Sequence, residues 1–158
     1  MKTQDDHKVV VDNRRARHIY SIDETFEAGM VLQGSEVKAL REGRGQIREA
    51  YGVVRDDGVY LLGMHISPYS GASTHVEVPA VRERKLLLHR KEIERLAEET
   101  QRKGMTLIPI RVYFTRRGIA KVELGLARGK KTYDRRREIV EREAKRQMER
   151  TQRRREKN

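Results

Sequence analysis

The chain contains no cysteine. That excludes disulfides, thiolate metal sites and a cysteine nucleophile, and it fits a reducing compartment. No run of eighteen apolar residues occurs, so no segment reads as a membrane-spanning helix. Met1 to Lys8 is polar, carries Asp5 and Asp6, and has no apolar stretch, so it is not expected to be a secretory signal. Tryptophan is absent, and two Phe and six Tyr are the only aromatics of that class. A broad stacking platform for single strands is not expected from so few rings. Hydrophobic residues make up 36% and charged residues 38%, so the core must be small.

What the chain has is positive charge. Its 158 residues carry a net charge of +12 with a pI of about 10.2. Such a balance favours a polyanionic partner, because cations that neutralise phosphates release counterions. Membrane surfaces are also anionic, so charge alone does not choose between them. The charge is uneven. Residues 129–158 hold thirteen Lys/Arg against six Asp/Glu, so more than half of the net charge lies in the last fifth of the chain.

The organisation follows from pattern. Residues 1–8 read as a disordered leader, and the pattern from Val9 to about Ala127 is mostly strand-like. Gly52–Arg55 and Val59–Leu62 flank Asp56-Asp57-Gly58, whose Asp-Gly pair suits a hairpin turn. A second hairpin places Ile108, Ile110, Val112 and Phe114 on one face, turns at Thr115–Gly118, and returns through Ala120, Val122, Leu124 and Leu126. Arg111, Lys121 and Glu123 then point to the other face. A short helix is expected from Gly34-Ser35 through Leu40. A longer one is expected from Arg90 to Lys103, with His89 at its N-cap and Gly104 as its stop. No Gly or Pro follows Gly129, yet Val140, Ala144 and Met148 make only a thin apolar stripe. The tail therefore reads as disordered when free and helical on a surface.

No motif for catalysis emerges. The five histidines form no helical pair with a glutamate between, so the zinc pattern fails. Gly125 to Lys131 is one residue short of a phosphate loop, and Lys131 stands where a Ser or Thr would hold magnesium. Neither a metal, nor a cofactor, nor catalytic residues are expected. The positive signal is clustered basic residues: Asn13-Arg14-Arg15-Ala16-Arg17-His18, Arg82-Glu83-Arg84-Lys85, and Gly129-Lys130-Lys131. Any one cluster reads equally well as a solvated face. Three at strand edges, with a basic tail, point to RNA or DNA. A compact strand-rich barrel with a charged face is an oligonucleotide-binding (OB) type of architecture.

Together these stretches resemble the small protein B family, the SsrA-binding or transfer-messenger-RNA-binding proteins. The resemblance rests on Asn13 to His18 with Tyr20, Phe26-Glu27-Ala28-Gly29, Leu32 to Arg41, Arg84 to His89, Gly104 to Pro109, and Ala127 to Arg136, in order and in spacing. It covers roughly residues 9–137. It implies a mainly β fold with added helices: an OB-like closed antiparallel barrel over residues 9–131, and a basic tail over 132–158. It implies that the chain is a non-enzymatic cytoplasmic monomer. Such a protein binds the transfer-RNA-like domain of transfer-messenger RNA and enters stalled ribosomes with it, for trans-translation. Elongation factor Tu and alanyl-transfer-RNA synthetase would be met only through that RNA. RNA-gripping positions fall on Glu27, Leu87 and Lys121, and Gly129, Lys130 and Lys131 match another RNA-contacting stretch. Asn13, Arg14, Arg15, Arg17, His18 and Tyr20 complete the expected RNA-binding set. Leu87, read by itself, is equally a core leucine. The tail, from Tyr133, Asp134, Arg135 and Arg136 onward, would occupy the empty messenger channel near the decoding centre. Ile19 stands where the family commonly has an acid, Arg135 where it has lysine, and Pro79 one place later than usual. A structural ribosomal protein with a barrel and a basic tail is the competing reading.

Overall fold

The structure is a computed structural model describing residues 7–68, 78–129 and 132–157, with the side chains of 132–139 outside the description. The chain divides into two compact units, Met1–Arg128 and Gly129–Asn158. In chain order the elements are β1 (Lys8–Asp12), α1 (Ala16–Ile19), β2 (Tyr20–Met30), α2 (Gly34–Arg41), β3 (Gly45–Gln46), β4 (Tyr51–Arg55), β5 (Gly58–Leu62), β6 (His65–Ile66), β7 (Arg84–Leu87), α3 (Arg90–Thr100), β8 (Met105–Phe114), β9 (Ala120–Gly129) and α4 (Thr132–Lys157). The fold is mainly β with a few helices. Lys8, expected in a disordered leader, begins β1, while residues 1–6 of that leader lie outside the described residues. Among the described residues no helix is long and apolar enough to cross a membrane.

Seven strands form one sheet in the order β1-β8-β4-β5-β7-β2-β9, and β8 also pairs with β9, so the order returns upon itself. β8 has three partners because β9 follows it along its whole length while β4 and β1 share its other edge. Its first half meets Gly52 of β4 at Leu107, and its last residues, from Arg111, pair with β1. A register shift between Pro109 and Arg111 separates the two halves. Proline offers no N–H to a ladder, and an irregularity of this kind turns a strand.

That shift corrects the expected alternation. Leu107, Val112 and Phe114 join the main core with Ala120, Val122, Leu124 and Leu126 of β9. Ile108 instead joins Ala16 and Ala127 in a separate small cluster, against which Tyr20 and Ile22 pack. One extra residue exchanges the two faces of a strand, so a single stripe from 108 to 114 does not exist. The first hairpin is also tighter than expected. Arg55 pairs with Gly58, leaving Asp56-Asp57 as the loop, and Gly58 opens β5 at φ 143°. A left-handed or mirror-image angle of this kind is open to glycine without steric cost. The long predicted helix ends at Thr100, before Lys103, and Gly104 follows at φ 83°.

The main core draws on the inward positions of β2 (Phe26, Ala28, Met30), on Val59 and Leu61 of β5, and on Leu86 of β7. Helix α2 adds Ala39 and Leu40, and α3 adds Leu96. Two charged side chains are buried with them: Glu36 is 3% exposed and Arg84 0%. The Glu36 carboxylate accepts from the Gln33 amide at 2.8 Å, which starts α2, and from Arg84 Nε at 2.8 Å. It also accepts from the guanidinium of Arg82. Arg84 donates further to the carbonyls of Met64 at 2.7 Å and Ala80 at 3.1 Å. Burial alone pushes the Glu36 carboxyl up. Hydrogen bonds from Arg82, the Gln33 amide and Arg84 outweigh it and hold the group below the usual carboxylate range. The cluster Arg82-Glu83-Arg84-Lys85 is therefore in part a structural network rather than an RNA contact.

Removing one partner of a buried, hydrogen-bonded ion pair leaves a desolvated charge. Arg84→Met or Glu36→Gln should therefore cost about 3–5 kcal/mol in urea unfolding. With its pKa lowered in the folded state, Glu36 contributes stability that is fully present above its unfolded value. That stability is lost as pH falls through the lower folded one. Glu36→Gln should flatten the acid limb of the stability profile. An acid limb identical to that of the parent chain would contradict this account.

Candidate nucleic-acid interface

The outer face of the sheet follows from the inner one. Phe26, Ala28 and Met30 point inward on β2, so Glu27 and Gly29 point outward. Arg84 and Leu86 point inward on β7, so Lys85 and Leu87 point outward. Ala120 and Val122 point inward on β9, so Lys121 does not. On β8 the register shift leaves Arg111 and Tyr113 on the outer side. β2 lies between β7 and β9. Glu27, Leu87 and Lys121, far apart in sequence, therefore share one face.

Distances tie them together. Gly29 pairs with Leu87, and a Cβ placed on Gly29 would lie 3.5 Å from that of Leu87. Lys121 is the register partner of Tyr113 and places Nζ 3.9 Å from Glu27. The Tyr113 hydroxyl donates to the other Glu27 oxygen. Burial, and then this hydrogen bond, push the Tyr113 hydroxyl well above its ordinary value, so it stays a neutral donor. Beside this pair, Arg111 donates to Glu123 across the strands. The Glu27 carboxylate remains half open, with 51% of its side chain exposed. It can accept from further donors, as a carboxylate does from a base amino group. Leu87 is 56% exposed. The core alternative for that residue is removed, and an exposed apolar side chain beside a carboxylate and a lysine suits contact with an unstacked base.

The first basic cluster divides. Asn13 is buried: its amide donates to the Pro109 carbonyl at 3.1 Å, and its oxygen accepts from the Ala16 amide at 3.3 Å. It fixes the start of α1 against β8 and offers little to a ligand. Arg14, Arg15, Arg17 and His18 are exposed around it, and Tyr20 is partly buried. Arg15, Ile19 and Tyr20 line a small cavity with Asn13, Ala16, Arg48 and Glu49. Gly129 ends β9 exposed, and Lys130 and Lys131 lie outside the described residues. Tyr133, Asp134, Arg135 and Arg136 fall in α4, with side chains outside the description. Among the described residues no three His, Asp or Glu side chains gather to hold a metal.

Tyr113 was missed by sequence reasoning. It sits two residues beyond Arg111, which alternation had already assigned to the polar face, so the signal was present. Because Leu87 lies outside the core, Leu87→Ala should shift stability by less than about 1 kcal/mol, well under the ~2–5 kcal/mol of a buried leucine. A melting curve compared with that of Leu86→Ala, its buried neighbour, decides the point.

Comparison with known proteins places the chain in a family. Residues 10–154 match the family model described as SmpB protein. An SsrA-binding protein of Moorella thermoacetica is 51% identical over 150 residues, covering 95% of this chain and 96% of that protein. One from Chloroflexus aggregans is 50% identical over 156 residues, covering 98% of each. A chain from the solved structure "tmRNA-SmpB: a journey to the center of the bacterial ribosome" superposes with a TM-score of 0.65 at 49% identity, over 77% of this chain and 84% of that one. With a family model spanning most of its length and relatives at half identity end to end, this chain belongs to the SmpB protein family.

Proposed function

We propose that this chain binds the transfer-RNA-like domain of transfer-messenger RNA and delivers it to stalled ribosomes for trans-translation. The observation that carries the reading is the convergence of Leu87, Glu27 and Lys121 on one sheet face within a chain of this family. The returning strand order supports an OB-like barrel over residues 9–131. The protein acts by binding and positioning RNA, without catalysis, as a monomer in the bacterial cytoplasm. Elongation factor Tu and alanyl-transfer-RNA synthetase meet it only through the RNA. Arg14, Arg15, Arg17, His18 and Tyr20 extend the RNA surface with Gly129, Lys130 and Lys131, and Asn13 orients the first of these groups. Several phosphate contacts make affinity fall steeply with salt. Lys121→Ala should weaken binding and reduce the log–log salt slope by roughly one unit, read in a titration from low to moderate salt.

The tail, residues 132–158, serves the ribosome. Helix α4 is compatible with its sequence: no Gly or Pro interrupts it, and Glu141/Lys145 and Glu149/Arg153 stand at the favourable spacing. Its thin stripe is nevertheless bare, with Val140 63% and Met148 70% exposed. Away from a ribosome such a helix has little to hold it, and the isolated tail should look mostly disordered by circular dichroism and gain helix in trifluoroethanol. In the empty messenger channel, anionic walls stabilise it, and Tyr133, Asp134, Arg135 and Arg136 lie near the decoding centre. A chain ending at Lys131 should bind transfer-messenger RNA with little loss and fail to tag nascent chains in a reconstituted assay. Normal tagging by that truncation would reduce the tail to a dispensable arm. Failure to bind the RNA would overturn the division between barrel and tail.

A further inference from the structure

Tyr113 is 5% exposed although it lies on the outer side of the sheet. Its cover includes His7, whose imidazole stacks on it with centroids 4.5 Å apart and planes 19° from parallel. The two are diagonal neighbours across β1 and β8, since Val9 pairs with Tyr113. His7 is itself exposed and stands one residue before the first strand. Around the stacked pair lie a carboxylate that accepts the Tyr113 hydroxyl, Glu27, and an ammonium group, Lys121, 3.9 Å from that carboxylate. A flat aromatic surface flanked by a hydrogen-bond acceptor and a cation meets the needs of one unstacked nucleobase. It offers a ring to stack on, an acceptor for an exocyclic amino group and a charge for the adjoining phosphate. An imidazole is the protein side chain closest in shape and flatness to a small heterocyclic base.

We propose that Tyr113 is a stacking surface for one unstacked, amino-bearing base of the bound RNA, and that His7 holds that base's place while the protein is free of RNA. The inference rests on the proposed RNA-binding function and deepens it, adding Tyr113 to the interface and an exchange of imidazole for base at the moment of binding. His7 is suited to leave, because it precedes the paired part of β1. Tyr113 is held in place by its strand and by Glu27. The alternative, a fixed cross-strand pair that stabilises the end of β1, predicts that the stack persists in the complex.

The test uses the full chain and a transcript of the transfer-RNA-like domain. Stacking places the His7 ring protons in the shielding cone of Tyr113, so their resonances should lie upfield in the free protein and move toward exposed values as RNA is added. Base–aromatic stacking is worth about tenfold or more in affinity, so Tyr113→Leu should lose at least about that much. Tyr113→Phe, which keeps the ring, should lose much less. His7→Ala should bind as well as the parent chain or more tightly, with an unchanged melting temperature. If the His7 resonances stay upfield at saturating RNA, or if His7→Ala loses as much affinity as Tyr113→Leu, the exchange is overturned. The His7 resonances decide the matter in the parent chain even where Tyr113→Leu does not fold. Failure of the parent chain to bind the transcript at all would instead overturn the functional reading beneath the proposal.

Discussion

The fold turns on one buried ion pair. Arg84 lies fully inside, satisfied by Glu36 and by the carbonyls of Met64 and Ala80. A guanidinium is a costly group to bury, and it is tolerated only where fixed acceptors match its fork of donors. Glu36 supplies two functions at once, as the capping residue of α2 and as the counterion of β7. The start of a helix and the depth of a strand are thereby made one event. The consequence reaches the outer surface. With Arg84 and Leu86 turned inward, the period of two leaves Leu87 no place but the outside. The proposed apolar contact for RNA is thus set by a charged residue three positions earlier that never meets solvent.

Local signals carried much of the fold. Gly34-Ser35 starts a real helix, and both hairpins exist, because turn chemistry and alternation are properties of adjacent residues. What was hidden was non-local. Nothing around Pro109 says that β8 passes from one partner to another there, yet that shift sends Ile108 into a separate cluster with Ala16 and Ala127. Arg84 looked like its neighbours in a basic run until Glu36 and the carbonyls of Met64 and Ala80 surrounded it. Asn13 looked like a ligand-binding group until Pro109 claimed its amide. The site was half legible. Lys121 was placed on a polar face from alternation alone, whereas Glu27 and Leu87 came from family resemblance, and Tyr113 from neither.

The net charge of +12 is a poor guide to where the interface lies. Several cations are already matched: Arg111 with Glu123 and Arg128 with Asp23 on the sheet, and Arg95 of α3 with Glu24. Such exposed pairs add little stability, but they hold guanidinium groups in place and lower the local field. The face around Glu27 is a mixed one, with an acid, a tyrosine, a lysine and a leucine. It is better suited to reading bases than to gripping phosphates. The unpatterned positive charge belongs largely to the C-terminal unit.

That unit has a dimension as well as a charge. As a helix its 26 residues measure about 39 Å, at about 1.5 Å per residue. Extended, the same chain would span more than twice that. Held as a helix, the tail is a rod of fixed length rather than a loose tether. A rod can report whether a passage of its own length is vacant, because any obstruction along the way prevents it from seating fully. A flexible string of the same charge would bind an obstructed passage nearly as well as an empty one. Under the proposed function, the regularity of α4, more than its cations, is what would distinguish a channel that still holds a message from one that does not.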